Sequence, residues 1–115
     1  MSRSRAKGTS WESNIVDYLR TAGWPHAERR ALNGRRDRGD VAGLIGVVIE
    51  AKNEASIRLA AYVAEAEAER ANGDADVGVA WIKKRGKTSA GDGYVVMTGA
   101  QFTALLKAAG YGGNA

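Results

Sequence analysis

The chain contains no cysteine and a single histidine, His26. A disulfide framework, a thiol nucleophile and a cysteine- or histidine-rich metal site are therefore excluded, and any metal must be held mainly by carboxylates. The one proline, Pro25, marks no interdomain linker, and no repeat of the solenoid type, with a period of about 20–50 residues, is visible. Long apolar runs are missing too. The longest, Val41 to Ile49, has nine residues and is interrupted by Gly43 and Gly46, whereas a membrane helix needs about 20. The basic start, Met1 to Lys7, has no apolar signal-peptide core behind it, so no membrane partner is expected and cytoplasmic location is the simplest expectation.

What remains is a composition of 44% hydrophobic and 26% charged residues over 115 positions, the profile of a soluble globular chain. One domain covering residues 1–115 is expected, with a flexible basic N-terminus (1–7) and a short C-terminal tail (110–115). Lys and Arg number 17 against 13 Asp and Glu, a net charge of +4. The cations fall into three groups: Arg3, Arg5 and Lys7; Arg29, Arg30, Arg35, Arg36 and Arg38; and Lys83, Lys84, Arg85 and Lys87. Each group is terminal or next to glycine, which suits surface contact with a phosphate backbone. The plainer alternative is that the cations keep loops solvated.

The hydrophobic pattern predicts a first helix from Thr9, capped by that residue with Glu12 reaching back in an S/T-x-x-E capping box. Trp11, Ile15, Leu19 and Ala22 recur at helical spacing, and Gly23 and Pro25 end the helix. His26 to Leu32 is a weakly alternating first strand. Asn33 to Gly39 is a basic turn, and Val41 to Lys52 reads as one or two buried strands, which Gly43 and Gly46 could break into a hairpin with Gly46 near its turn. An alanine-rich helix follows from Ser56, its cap, to Asn72, with Gly73 as its stop. Val77 to Ile82 is a buried strand, Lys83 to Gly93 a flexible basic loop and Tyr94 to Met97 a further strand. Thr98 and Gln101 cap a last helix with Phe102, Leu105, Leu106 and Ala109 on one face, closed by Gly110. Strands interleaved with helices predict an α/β fold with a central mixed sheet of about five strands covered on both faces.

The informative chemistry lies at Gly39-Asp40 and at Val48-Ile49-Glu50-Ala51-Lys52. Residues two apart on a strand share a face, so Glu50 and Lys52 lie together at the end of an apolar strand while Ala51 points away. Ionised groups there are costly unless paired, hydrated or metal-bound. A hairpin would return Asp40 toward Glu50, and two converging hard oxygen donors suit Mg²⁺ or Mn²⁺. The alternative is an ordinary surface pair of Glu50 and Lys52. Glu12 lies within about 60° of Ile15, Val16 and Leu19 on the first helix. It is therefore either the capping partner of Thr9 or a carboxylate aimed over the sheet at Asp40 and Glu50.

The pattern Glu12, Gly39-Asp40, Glu50-Ala51-Lys52 resembles the PD-(D/E)xK nuclease superfamily, and Lys7-Gly8-Thr9-Ser10-Trp11-Glu12 through Ile15, Leu19 and Gly23 resembles the opening helix of archaeal-type Holliday-junction resolvases. The resemblance covers Lys7 to Trp81. It departs from the superfamily pattern in having Gly39 where a proline is usual, and the loop before Asp40 lacks the serine that some resolvases place there. It implies a restriction-endonuclease-like core in which Asp40, Glu50 and the Ala51 carbonyl hold Mg²⁺, or alternatively Mn²⁺. Lys52 would then orient or activate the attacking water, and Glu12 would complete the site. Arg29, Arg30, Arg35, Arg36, Arg38, Lys83, Lys84, Arg85 and Lys87 are the expected DNA-binding residues, with branched or four-way DNA as substrate. Two symmetric nicks from one site per chain imply a homodimer, through the last helix or the alanine-rich one. The rivals are a nuclease of the same fold acting on flaps, ends or single strands, and a non-catalytic basic DNA-binding module. His26 reads as ordinary surface, and Trp11, Trp24 and Trp81 read as core. Glu65, Glu67 and Glu69 are assigned to different helix faces, hence to solvation.

Overall fold

The computed structural model describes residues 3–30 and 39–113. Its order is α1 (Arg3–Ala22), β1 (Glu28–Arg29), β2 (Val41–Ala42), β3 (Val47–Lys52), α2 (Leu59–Asn72), β4 (Val77–Ile82), β5 (Tyr94–Val96) and α3 (Gly99–Ala108), with a 3₁₀ turn at Ala90–Asp92 before β5. This is the expected α/β succession, but the strands do not form one five-stranded sheet. Among the described residues, β1 and β2 make a two-stranded antiparallel ribbon, and β3-β4-β5 make a three-stranded mixed sheet. β3 and β4 run parallel, joined by α2 as a β-α-β crossover, and β5 returns antiparallel to β4.

The period-two pleat of β3 divides the molecule. Val47, Ile49 and Ala51 face α1, where Trp11, Ile15, Val16 and Leu19 pack with Val41, Ile49, Val79 and Trp81. Val48, Glu50 and Lys52 face the other way, toward α2, whose Tyr62 packs on Ala80 and Ile82 of β4. α2 lies close on β4 because Gly78 has no side chain: a Cβ there would stand 2.8 Å from the Ala66 carbonyl oxygen. The indole N–H of Trp11 donates to the Trp81 carbonyl at 2.9 Å, and that of Trp81 to the Ala90 carbonyl at 3.0 Å. These two bonds tie α1, β4 and the 3₁₀ turn together. The second half of the expected basic loop is therefore pinned, with Asn14 also donating to the Thr88 carbonyl.

Several local expectations change. α1 spans Arg3–Ala22, so Arg3 to Lys7 of the segment expected to be a flexible arm are helical and Thr9 sits inside the helix. Gly8, Thr9 and Ser10 disfavour a helix interior by about 1 kcal/mol each at most, a cost that docking of Trp11 and Ile15 outweighs. The capping box of Thr9 and Glu12 is thereby excluded, since neither occupies a helix end. α2 starts at Leu59 rather than at Ser56, and its N-cap residue Arg58 makes no side-chain cap bond. Instead the Tyr62 hydroxyl binds Glu54 and the Ser56 carbonyl, holding the entry segment from within the helix. Thr98 does cap α3, its hydroxyl accepting the Gln101 N–H at 3.1 Å, while the Gln101 side chain accepts the Gly78 N–H. No residue of α3 is buried, and Trp24, expected in the core, is exposed. Among the described residues no helix is long and apolar enough to cross a membrane.

Candidate metal centre and basic cleft

Asp40 is held through its backbone by Ile49 and Arg30 and through its carboxylate by Ala51. Gly39 is buried at φ +94°, a left-handed conformation open to glycine, and a Cβ on it would meet the Ile49 carbonyl oxygen at 2.9 Å. The Asp40 N–H donates to the Ile49 carbonyl and its carbonyl accepts the Arg30 N–H, both at 2.8 Å. Its Oδ2 then accepts the Ala51 N–H, also at 2.8 Å. This bond seats Asp40 on the Glu50-Ala51-Lys52 segment.

Glu50 and Lys52 do share a face, turned toward α2. Glu50 is only 3% exposed, and its Oε2 lies 3.6 Å from Lys52 Nζ. The same ammonium lies 2.6 Å from Glu65 Oε2 and 5.3 Å from the centre of the Tyr62 ring. Glu65 and Glu69 are one helical turn apart and both reach the strand, which corrects their assignment to separate faces. One carboxylate oxygen from each of Glu50, Glu65 and Glu69 lies within 4.8 Å of the others. Glu67, between them, turns away to Arg70 at 3.2 Å. The Glu50 carboxyl is buried and hydrogen-bonds to Glu69 beside it.

Electrostatics follow from this crowding. Burial first, then the hydrogen bond with Glu69 and the negative charges of Asp40, Glu69 and Glu65, push the Glu50 carboxyl up to about 11. In the metal-free chain it is thus a neutral acid at pH 7. Burial works to lower the Lys52 ammonium, but the hydrogen bond and charge of Glu65, with Glu50 and Asp40 behind, raise it above its ordinary value. Lys52 is consequently a firm cation and a hydrogen-bond donor.

The remaining candidates are distributed around this centre. Glu12 is not part of the three-glutamate group; it pairs with Arg29 of β1 at 3.1 Å, in a half-exposed bridge. Arg29 stands opposite Val41 in the β1–β2 register, one residue from Asp40. Arg30 Nε is buried without a hydrogen-bond partner. Arg35, Arg36 and Arg38 lie outside the described residues. Lys83, Lys84 and Arg85 line a cleft of about 670 Å³ together with Lys7, Asn53, Glu54 and Tyr94. A second cleft of about 490 Å³ contains Lys7, Gly8, Ala51, Lys52 and Arg58. Lys7 and the Asn53–Ala55 segment line both, so the basic surface reaches the Lys52 end of β3. Lys87 and His26 are exposed, outside both clefts. Glu65 and Glu69 are the site residues missed from the sequence, although their i, i+4 spacing in the alanine-rich helix was the available signal. No family model, curated protein or solved structure matches this chain.

Proposed function

We propose that the protein is a divalent-metal-dependent endonuclease that hydrolyses phosphodiester bonds in branched DNA, with four-way junctions as its preferred substrate. The observation that carries this reading is the Asp40 carboxylate seated on the Ala51 N–H, which joins a distant acid to the Glu50 and Lys52 pair. The donor set fits Mg²⁺ or Mn²⁺, because the carboxylates of Asp40 and the buried Glu50 offer hard oxygens. Asp40 and Glu50, with the Ala51 carbonyl, would hold the ion. When bound, such an ion neutralises phosphate charge and acidifies water. Lys52, fixed as an ammonium, would donate to the attacking water or to a phosphate oxygen and offset charge that builds up during hydrolysis; it would not act as the proton acceptor. Glu12 would act beside Asp40 through its bridge to Arg29.

Lys7, Lys83, Lys84 and Arg85 would hold the sugar-phosphate backbone, and Arg29, Arg30, Arg35, Arg36, Arg38 and Lys87 would extend that contact. Phosphate contacts position DNA without reading bases, which favours recognition of DNA shape in a chain this small. A second copy would supply the second nick. The exposed apolar side chains of consecutive elements, Tyr94 and Val95 on β5 and Phe102 and Leu105 on α3, support α3 over the sheet-facing α2 as the dimer surface. The direct test is competition among a labelled four-way junction, a flap and plain duplex in Mg²⁺. Paired nicks in the junction support the reading. Cleavage of the flap alone would move the substrate to flaps, and binding without cleavage would leave a DNA-binding module.

A further inference from the structure

The cleft that holds Lys83, Lys84 and Arg85 is not uniformly basic. Its wall also carries Tyr94, 50% exposed, and Ile57, 55% exposed, two of the large apolar side chains that the fold leaves in water. Phosphate groups call for the cations alone. In a duplex the faces of the bases are covered by stacking, whereas an unpaired strand presents bare base faces beside its phosphates. Proteins that take such strands combine a basic groove with aromatic platforms. The fold sets these parts next to one another. Tyr94 is held opposite Ile82 at the start of β5, and the residue after Ile82, Lys83, donates its N–H to the Lys52 carbonyl at 3.0 Å. The Lys87 N–H then closes a turn on the Lys84 carbonyl at 3.1 Å, with Gly86 at φ +80° in the third position, which a type II turn reserves for glycine. Lys84 and Arg85 are thus exposed on a hydrogen-bonded turn rather than on a loose loop. The acid among the described lining residues is Glu54, and Arg58 lies 3.3 Å from it.

We propose that this cleft binds an unpaired DNA strand, with one base stacked on Tyr94 and the flanking phosphates on Lys83, Lys84 and Arg85. Its volume of about 670 Å³ falls in the range of about 300–1,000 Å³ typical of sites that enclose small molecules, the scale of a nucleotide. The proposal deepens the nuclease reading and rests on it for the part this strand plays in the reaction; affinity for the strand itself does not. A base is extruded at least cost where pairing or stacking is already weakened, and the branch point of a junction is such a place. The bond from Lys83 to the Lys52 carbonyl sets a strand held here beside the end of β3. Side chains alternate along β5, so Tyr94 serves the cleft while Val95 faces away. Phe102 and Leu105 are not part of its wall and remain with the dimer surface.

The test is binding of a single-stranded DNA oligonucleotide carrying 2-aminopurine, a base whose fluorescence is quenched by stacking, to the full chain in chelator. A blunt duplex of the same length is measured beside it. Chelation keeps metal-dependent cleavage out of the measurement. The expected result is quenching on binding, with Tyr94→Ala weakening single-strand affinity at least about fivefold, the low end for a base stacked on an aromatic ring, and leaving duplex affinity unchanged. Tyr94→Phe keeps the ring and should keep the affinity. The salt slope should be the same in Tyr94→Ala as in the wild type, because no phosphate contact is removed. Circular dichroism checks that each variant is folded, and Tyr94→Leu repeats the test if the alanine variant misfolds. Unchanged single-strand affinity in Tyr94→Ala, equal losses for single strand and duplex, or a loss in Tyr94→Phe as large as in Tyr94→Ala overturns the inference. So does a Tyr94→Ala chain that light scattering finds monomeric where the wild type is dimeric, since the loss then belongs to the dimer surface. Single-strand binding that depends on Tyr94, in a protein that nicks no DNA in Mg²⁺, would sink the nuclease reading and leave this cleft standing. Junction nicking without that dependence would do the reverse.

Discussion

Asp40 Oδ2 accepts the backbone N–H of Ala51 at 2.8 Å, eleven residues along the chain. This bond, with that of the Asp40 N–H to the Ile49 carbonyl, holds the acid against the strand that carries Glu50 and Lys52. Asparagine retains an oxygen that can accept the same N–H, so an Asp40→Asn chain should keep its fold and lose only the charge.

Glu12→Gln separates structure from chemistry. Its bridge to Arg29 is half-exposed, and such pairs contribute at most about 1 kcal/mol, so the melting temperature should shift by only a few degrees. Junction cleavage should fall at least about tenfold if Glu12 acts beside Asp40, as outer partners of metal sites do. Unchanged cleavage would confine Glu12 to the ion pair.

Neutralising Lys83, Lys84 and Arg85 together should weaken junction binding and flatten its salt dependence, with the log–log slope falling by about 0.9 for each phosphate that the variant no longer neutralises. Lys7→Ala should add to this effect, because Lys7 lines the same cleft. Fluorescence anisotropy across a salt series measures it, and an unchanged slope would remove this cleft from the interface.

The Glu50 carboxyl gives the metal-free chain a distinct pH response. Its proton is held up to about 11 in the folded state against an ordinary value of 4.5. Between those values the folded chain binds more proton than the unfolded chain, so this group's stabilisation is complete below the lower value and is lost as pH rises toward the upper one. Thermal melts in chelator should therefore show stability declining from pH 6 to pH 9. Glu50→Gln should flatten that decline and melt at least about 4 °C higher than the wild type at pH 9, the shift expected from roughly 1 kcal/mol in a domain of this size. Parallel profiles for the two proteins would contradict the buried-proton account.

Light scattering of the chain at micromolar concentration, alone or on junction DNA, should give about twice the 12.2 kDa monomer mass. Phe102→Ser combined with Leu105→Ser should return it to the monomer while leaving the fold intact, since both side chains are exposed. A dimer that survives both changes would place the interface elsewhere.

Much of this arrangement was legible in the residues. The alternation of Val47 to Lys52 gave the shared face of Glu50 and Lys52, Thr98 marked the start of α3, and Gly73 marked the end of α2. The start of α1 was hidden because Thr9 and Glu12 form a capping pattern that tertiary docking of Trp11 overrides. The division into two sheets was equally hidden, because β2 pairs with the two-residue β1 while Asp40 bonds to β3. The exposure of the apolar face of α3 was not legible, because such a face has the same spacing whether the same chain or a second one covers it. Glu65 and Glu69 share an i, i+4 face that spacing alone exposes, and the intervening Glu67 obscured it.

The central claim is hydrolysis at the Asp40–Glu50–Lys52 centre, and the most direct measurement is nicking of an end-labelled synthetic four-way junction with and without Mg²⁺. The account predicts Mg²⁺-dependent, paired nicks by the wild type, and at least about a hundredfold loss in Asp40→Asn and in Glu50→Gln, the upper range for disrupted metal sites, with junction binding retained. Cleavage by either variant near the wild-type rate, or cleavage indifferent to chelation of the metal, would contradict it.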